Sequence, residues 1–263
     1  MNRTTSVSWP LRILCFFIAL WLVGPMFIVI PLSFTGQASF TFPPQSWSLD
    51  YYRNFFTDPA WTDALWTSVR LGIAVTIAAT IIGTAAAIAL VRGRMRGKTV
   101  VTGALMAPML LPQIIVALAI YIAFLRLGLV GTYTGFFLAH TALAIPFVLV
   151  PVMASLRTLD PDVEHAAAGL GASPVSVLWH ITARLAAPGI LSGAVFAFAT
   201  SFDEVVISIY LQSPLLRTLP VQMYTSVTTN TDPTIAAASA IILTVTTLLI
   251  LVPQLVSGRV VKD

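Results

Sequence analysis

Charged residues are scarce in this chain: Asp, Glu, Lys and Arg together make up only 9% of its 263 residues. Soluble domains carry about 25% charged residues, so this sequence has too few charges to cover a surface that faces water. Hydrophobic residues account for 57% of the chain, and its mean hydropathy is +0.91. These values exclude an ordinary soluble protein and predict an integral membrane protein.

Cysteine and the motifs of metal or nucleophilic chemistry are also nearly absent. The single cysteine, Cys15, excludes a disulfide within the chain. His140, His165 and His180 lie far apart and follow no metal-ligand spacing. The sequence contains no HExxH or CxxC motif, and its spacing supports no Ser-His-acid arrangement. We therefore expect no metal, no cofactor and no enzymatic activity in this chain.

One segment has a superficial likeness to a phosphate-binding loop. The stretch GRMRGKT, Gly93–Thr99, has three residues between its glycines, whereas the Walker pattern requires four. It also follows an apolar run long enough for a membrane helix instead of a short buried strand. We interpret it as a basic turn and expect that this chain does not bind ATP by itself.

Long apolar runs dominate what is present. Each is long enough for the ~20 residues that a membrane-spanning helix requires. The sequence predicts an all-α fold in which residues 1–263 form one transmembrane domain. The six predicted spans are 11–34, 65–91, 100–125, 132–153, 186–211 and 234–256. We interpret the first as an uncleaved span; the alternative is a cleaved signal peptide with a weak site at 36–38.

The distribution of Lys and Arg predicts the orientation of the chain. Ten of the 14 basic residues fall in one alternate set of connecting segments and chain ends, and four fall in the other set. Because cytoplasmic loops carry the excess of Lys and Arg, the set with ten should be cytoplasmic. Both chain termini and the segment 158–186 then lie on the cytoplasmic side.

Small residues recur at every fourth position in two of the predicted spans. This spacing places small side chains on one helix face, where neighbouring helices can approach closely. We expect these residues to pack inside a helix bundle. They are Ala79, Gly83 and Ala87 in the second span and Gly193, Ala197 and Ser201 in the fifth.

The segment 158–186 predicts two short helices. Asp160-Pro161 and Ser173-Pro174 each combine a good N-cap residue with a proline at the first helical position. Gly169 or Gly171 can end the first helix. That helix has a narrow apolar stripe, suited to docking in a shallow protein groove. The stripe consists of Val163, Ala166, Ala167 and Leu170.

The stretch VEHAAAGLGASPVSVLWHITARLAAPGI (163–190) resembles the EAA loop of permease subunits of binding-protein-dependent ABC importers. Its spacing to Gly171 and Ile181 matches the family pattern. His165 stands at the position of the family's Glu, with Glu164 just before it, and Ala183-Arg184 stands at the Leu-Pro position. The stretches SFDEVVISIYL, RTLPVQMYTSV and DPTIAAASAIIL are similar to spermidine/putrescine-type permeases.

The resemblance implies a type I ABC importer permease in the bacterial inner membrane. Its expected partners are a second permease subunit, two ATP-binding subunits that hold the ATP, an external solute-binding protein and the lipid bilayer; nucleic acid is not expected. The loop is then a coupling helix that contacts an ATPase subunit. The chain as a whole is expected to form half of the path of a small solute, a polyamine or related cation. The implied ATPase-coupling residues are Glu164, His165, Ala166, Ala167, Leu170 and Gly171.

Four polar residues within the apolar runs are candidates for the substrate pathway: Asp203, Glu204, Gln113 and Tyr121. Carboxylates inside a membrane face a cavity or a partner, so Asp203 and Glu204 can attract a cationic solute. The alternative is structural, with the carboxylates capping a helix end or pairing with Arg217 or Arg126. His140 in the fourth span is a further candidate. For it, as for Gln113 and Tyr121, the alternative is hydrogen bonding between helices.

Three other functions remain as alternatives. The first is an importer permease for a different solute: an amine-containing compound, an amino-acid derivative or a metal. The second is a secondary transporter driven by an ion gradient, which predicts inverted repeats that the sequence does not clearly show. The third is a membrane-embedded enzyme, which would need a cluster of His, Asp or Glu near one membrane face.

Overall fold

The computed structural model describes residues 9–230 and 232–257, with side chains except at 25, 230 and 249–257. Arg3, Arg259 and Lys262, which contributed to the predicted orientation, lie outside the described residues. Within these ranges the chain is helical and contains no strand, which confirms the all-α prediction. The helices are α1 Trp9–Ser33, α2 Asp50–Thr57, α3 Pro59–Arg92, α4 Lys98–Leu110, α5 Gln113–Arg126, α6 Tyr133–Thr158, α7 Pro161–Gly169, α8 Pro174–Val177, α9 Ala183–Leu185, α10 Ala187–Phe202, α11 Val206–Leu211, α12 Leu219–Thr225 and α13 Thr234–Ser257. Two π-helical turns, 178–182 and 226–230, follow α8 and α12.

The long apolar helices match the predicted spans with two differences. Among the residues that the structure describes, α1, α3 and α6 are each long and apolar enough to cross a membrane alone. Two bent pairs of helices would each count as a further span if both halves cross together: α4 with α5, bent by 103°, and the segment 174–185 with α10, bent by 71°. The last predicted span corresponds to α13, of which residues 234–248 form a shorter apolar helix.

The third span, predicted over 100–125 with a kink at Pro112, is fully interrupted at that proline. Leu111 is extended (φ −87°, ψ 149°), and α5 begins at Gln113 directly after Pro112. Proline disfavours helical dihedrals in the preceding residue because its ring clashes with that residue's backbone. Pro112 therefore ends α4 and allows the chain to turn sharply into α5.

The fifth span is also interrupted, although the sequence predicted one helix over 186–211. Helix α10 ends at Phe202, and α11 starts only at Val206. The Glu204 carboxylate accepts hydrogen bonds from the backbone N–H groups of Ile207 and Ser208. An acidic side chain that captures these groups caps a new helix start in place of a continuous helix.

By its internal contacts the chain divides into two compact units, 1–62 with 223–263 and 63–222. In the first unit, α13 packs against α1 and α2. Phe55 and Trp61 are buried there, and the Trp61 indole N–H donates to Asp232 at 3.2 Å. The prediction that residues 1–263 form one domain stays a prediction.

The core of the second unit lies where α6 packs between α3 and α10. Val148 of α6 is fully buried and faces a glycine on each side. A Cβ added to Gly83 of α3 would lie 2.8 Å from Val148 Cβ, and one added to Gly193 of α10 would lie 3.0 Å from Val148 Cα. Ala79, Ala87 and Ala197 are fully buried as well. The small-residue faces predicted from the sequence therefore form the contacts between these three helices.

Candidate functional site

The segment 158–186 begins with two capped helix starts, as the sequence predicted. The Asp160 side chain accepts a hydrogen bond from the Asp162 N–H at the start of α7, and the Ser173 side chain accepts one from the Ser176 N–H at the start of α8. Between them, Gly171 has a φ of +89°, which is in the left-handed region. Because residues with a Cβ rarely adopt this φ, glycine fixes the sharp turn between the two helices.

Glu164 joins this segment to the end of α3. Its Oε1 atom accepts hydrogen bonds from Arg92 Nε at 3.2 Å and from Thr182 Oγ1 at 3.0 Å. Arg92 Nη2 also donates to the carbonyl oxygen of Leu159 at 3.1 Å. The side chains of Arg92 and Glu164 are only 20% and 18% exposed. This arrangement, the Arg92–Glu164 link, ties α3, α7 and the π-helical turn together.

Most of the other predicted residues in and just after α7 face outward, while Ala167 is half-buried. The side chain of Leu170 is 90% exposed and that of Val163 is 47% exposed. His165 is exposed as well, with Nδ1 3.6 Å from Asp162 Oδ1. Thus Glu164 attaches α7 to the rest of the unit, while the apolar side chains of Val163 and Leu170 are exposed.

We expect Glu164→Ala to loosen α7 from α3. The substitution removes the acceptor for Arg92 and Thr182 and should cost about 1–3 kcal/mol locally, because both partly buried donors lose their partner. Hydrogen exchange of the backbone amides in 164–170 should become correspondingly faster. Asp162→Ala on the same helix is the control, because that side chain is 90% exposed. Equal exchange in both variants would show that the link does not hold α7.

A second polar arrangement surrounds Glu204 at the interruption between α10 and α11. Glu204 is buried, at 3% exposure, and accepts hydrogen bonds at both carboxylate oxygens. The donors are the backbone N–H of Ile207 (2.8 Å), the N–H and Oγ of Ser208 (2.9 and 3.0 Å) and Nε2 of Gln113 (3.0 Å). Gln113, the first residue of α5, thereby connects the two interrupted spans.

His140 extends this arrangement into α6. Its Nε2 atom lies 3.0 Å from Ser208 Oγ, and its Nδ1 atom lies 3.0 Å from Ser201 Oγ. Because Ser208 Oγ donates its proton to Glu204, it accepts from His140 Nε2, and Nδ1 can accept from Ser201. We call Gln113, His140, Ser201, Glu204 and Ser208 the polar cluster. It joins α5, α6, α10 and α11.

Asp203 differs from its neighbour, because its side chain is exposed. It lies at the edge of a cavity of about 510 Å³ whose wall also includes Gln113, Thr200 and Glu204. Tyr121, the remaining pathway candidate, packs its ring against that of Tyr210 with 5.9 Å between centroids. The structure therefore brings Gln113, Asp203 and Glu204 to one cavity, whose lining does not include Tyr121.

The described residues contain no group of three or more His, Cys, Asp or Glu side chains that could hold a metal ion. The polar cluster contains one carboxylate and one imidazole, and both are engaged by neighbouring side chains. Its hydrogen bonds join helices to one another. The site thus offers carboxylate and amide groups that can contact a solute and hydrogen bonds that hold helices together.

Comparison with known proteins decides the family. Residues 79–262, more than half of the chain, match the model of the binding-protein-dependent transport system inner membrane component family. The chain belongs to this family. Membership confirms the predicted importer-type permease, a multi-pass inner-membrane transport component and not an enzyme.

Three relatives show how far the similarity of this permease extends. It is 31% identical to the spermidine/putrescine transport system permease protein PotC of Escherichia coli over 160 residues, which is 61% of each chain. It is 30% identical to PotC of Haemophilus influenzae over 93% of this chain and 95% of that protein. It is also 30% identical to the molybdenum transport system permease protein ModB of Mycobacterium bovis, over 87% and 89% of the two chains.

A solved structure shares the fold of the permease. A chain in the crystal structure of a bacterial ABC transporter involved in the import of the acidic polysaccharide alginate superposes with a TM-score of 0.69. The match covers 97% of this permease and 99% of that chain, at 18% sequence identity. At this identity the likeness concerns the fold.

Sequence reasoning did not find several residues of these arrangements. Arg92, Thr182, Ser201 and Ser208 were not predicted as partners of Glu164, His140 or Glu204. Arg92 stands at the end of an apolar run, which is a usual position for a basic residue at a membrane interface. Nothing in the sequence indicates that it reaches Glu164, 72 positions later.

Proposed function

We propose that the permease is one of two membrane subunits of an ABC importer, with ATP bound and hydrolysed by two partner subunits. A solute-binding protein outside the membrane delivers the solute, and both termini of the permease lie in the cytoplasm. One observation carries this proposal. Leu170, directly after α7, is exposed, while Glu164 links α7 to α3. Family membership supports the same reading.

The geometry of α7 suits the transfer of motion. An exposed apolar side chain on a short helix can insert into a groove of a partner, as in helix-in-groove recognition. Glu164 connects that helix to α3 and the π-helical turn. A displacement of α7 by a closing ATPase pair would therefore act on the membrane helices directly, because packed elements shift as rigid bodies.

We expect Leu170→Glu to abolish association with the ATPase subunits while the permease still folds. The side chain is 90% exposed, so the change removes no core packing. Burying a charge in an apolar groove should weaken binding by about 2 kcal/mol or more. Co-purification from detergent measures the effect. Leu215→Glu is the matched control, because Leu215 is 97% exposed in a segment predicted to be extracytoplasmic.

Two other outcomes would oppose the proposal. If Leu170→Glu and wild type bring down equal amounts of ATPase, α7 is not the docking helix. If folded wild type binds no ATPase, and uptake follows an ion gradient, the secondary-transporter alternative gains support.

For the solute, we propose a small organic cation of the polyamine class. Two carboxylates and no basic residue line the 510 Å³ cavity at the interruption between α10 and α11. A relative named as a spermidine/putrescine permease matches nearly the full chain. A relative named for molybdenum and a fold neighbour named for alginate transport indicate that this fold also serves other solutes. The proposal of a cation therefore depends on the two carboxylates in the cavity lining.

We expect Asp203→Asn to reduce uptake of labelled spermidine or putrescine by about tenfold without affecting assembly. The exposed carboxylate is free to attract an ammonium group, and an exposed or partly desolvated charge pair is worth about 1 kcal/mol or more. Asp63→Asn is the control, since Asp63 is also exposed but does not line the cavity. Loss of assembly in Asp203→Asn would indicate a structural role, and unchanged uptake would remove Asp203 from the solute pathway.

A further inference from the structure

A second cavity lies at the basic end of the helix bundle, away from Asp203 and Glu204. It has a volume of about 530 Å³ and is formed between the end of α3, one face of α4 and the end of α6. We call it the α4 groove. Its lining residues are Leu90, Lys98, Thr99, Thr102, Gly103, Met106, Leu110, Met153 and Arg157.

The α4 groove is polar at one end and apolar at the other. Lys98 and Thr102 lie one helical turn apart at the start of α4, and Met106 and Leu110 continue along the same face. Leu110 lies twelve positions after Lys98, which corresponds to about 18 Å along a helix. This length and gradient fit an amphiphilic molecule with a polar head and an apolar tail.

The polar end is positively charged. Lys98 and Arg157 line it, and neither makes an ion pair with any residue in the part of the chain that the structure describes. No acidic residue lines the groove. The first turn of α4 has no side-chain cap, so its backbone N–H groups add a partial positive charge at the same place.

Gly103 keeps the middle of the groove open. A Cβ added there would have no heavy atom within 4 Å, in contrast to the glycines packed against Val148. The groove is therefore free space along a membrane helix and not a defect in a helix contact. Basic pockets between membrane helices on the cytoplasmic side are typical sites for anionic lipid head groups.

We propose that the α4 groove binds one anionic phospholipid. The phosphate lies between Lys98 and Arg157, and an acyl chain runs past Gly103 toward Leu110. The occupant is an amphiphile because a free anion would use only the polar end and leave the apolar wall uncovered. This inference is independent of the transported solute and of ATPase coupling.

Native mass spectrometry of the full chain, together with the subunits that co-purify, tests the proposal. The probes are phosphatidylglycerol, phosphatidylcholine of the same chain length and inorganic phosphate. We expect retained adducts with phosphatidylglycerol and far fewer with the other two. Lys98→Gln and Arg157→Gln should each weaken phosphatidylglycerol binding by about fivefold.

Gly103→Leu provides the second variant. It places a bulky, good helix former in the groove at a position where an added Cβ meets no heavy atom within 4 Å, so it should remove lipid binding and keep the fold. Arg94→Gln is the control, because Arg94 is an exposed basic residue outside the groove lining. Equal retention of both lipids, retention that survives Gly103→Leu, or equal binding of inorganic phosphate would each overturn the proposal.

Discussion

Glu204→Ala should destabilise the permease by roughly 3 kcal/mol or more and lower its unfolding temperature. The Glu204 carboxylate accepts hydrogen bonds from two backbone N–H groups at the start of α11, from Ser208 Oγ and from Gln113. Truncation leaves the buried donors of Ile207 and Ser208 without their acceptor, and each unpaired buried group costs about 1–3 kcal/mol. Thermal unfolding in detergent measures the loss.

Glu204→Gln separates shape from charge at the same position. The amide keeps the volume and one acceptor oxygen, so we expect an intermediate loss of stability. Asp203→Asn, at the neighbouring exposed position, should leave the unfolding temperature unchanged. If Glu204→Ala unfolds at the wild-type temperature but fails to transport, Glu204 acts on the solute and the polar cluster does not support the fold.

Gly193→Val should lower the stability of the helix bundle by about 1–3 kcal/mol, the usual effect of overpacking. Even the Cβ would lie 3.0 Å from Val148 Cα and 3.3 Å from the Val148 carbonyl oxygen. Because these are backbone atoms of α6, the two helices have to separate, and the opposite contact of Val148 with Gly83 shifts with them. The same unfolding measurement applies.

Gly103→Val is the matched control for Gly193→Val. It introduces the same side chain into a membrane helix, at a glycine with no neighbour within 4 Å. We expect wild-type stability there. Similar losses in the two variants would show that valine in a membrane helix, and not the contact with Val148, is responsible.

The helical regions could be predicted because their determinants are local. Apolar length indicated the spans, and Asp160-Pro161 and Ser173-Pro174 indicated the starts of α7 and α8. The spacing of small residues also indicated packed faces, because every fourth residue of a helix lies on one side. These features require no knowledge of which helices are neighbours.

The interruptions and the polar partners depended on tertiary contacts. Pro112 marked the end of α4 locally, but the size of the 103° bend did not follow from it. The end of α10 at Phe202 had weaker local signals, since SFDEVVISIYL continues an apolar run. Glu204 also accepts a hydrogen bond from Gln113 of α5, and this contact joins positions 91 residues apart.

The unbroken length of α3 sets a thickness scale for the membrane around this permease. The helix has 34 residues, or about 51 Å, well beyond the ~30 Å of a hydrocarbon layer. Arg70, whose guanidinium lies 6.0 Å from the Trp66 ring, is 22 positions and thus about 33 Å from Arg92. Arginine and tryptophan favour the interface, so the two arginines mark opposite surfaces of the bilayer.

Hydrophobic matching follows from that spacing. With the two arginines at the interfaces, the turns of α3 before Arg70 would extend beyond the hydrocarbon layer, and Arg92 would lie near the head groups. In a bilayer thinner than the distance between the two arginines, α3 would tilt so that both can stay at an interface. Tilt at that end would move the guanidinium that holds α7, so lipid chain length would act on the helix that we propose docks on the ATPase.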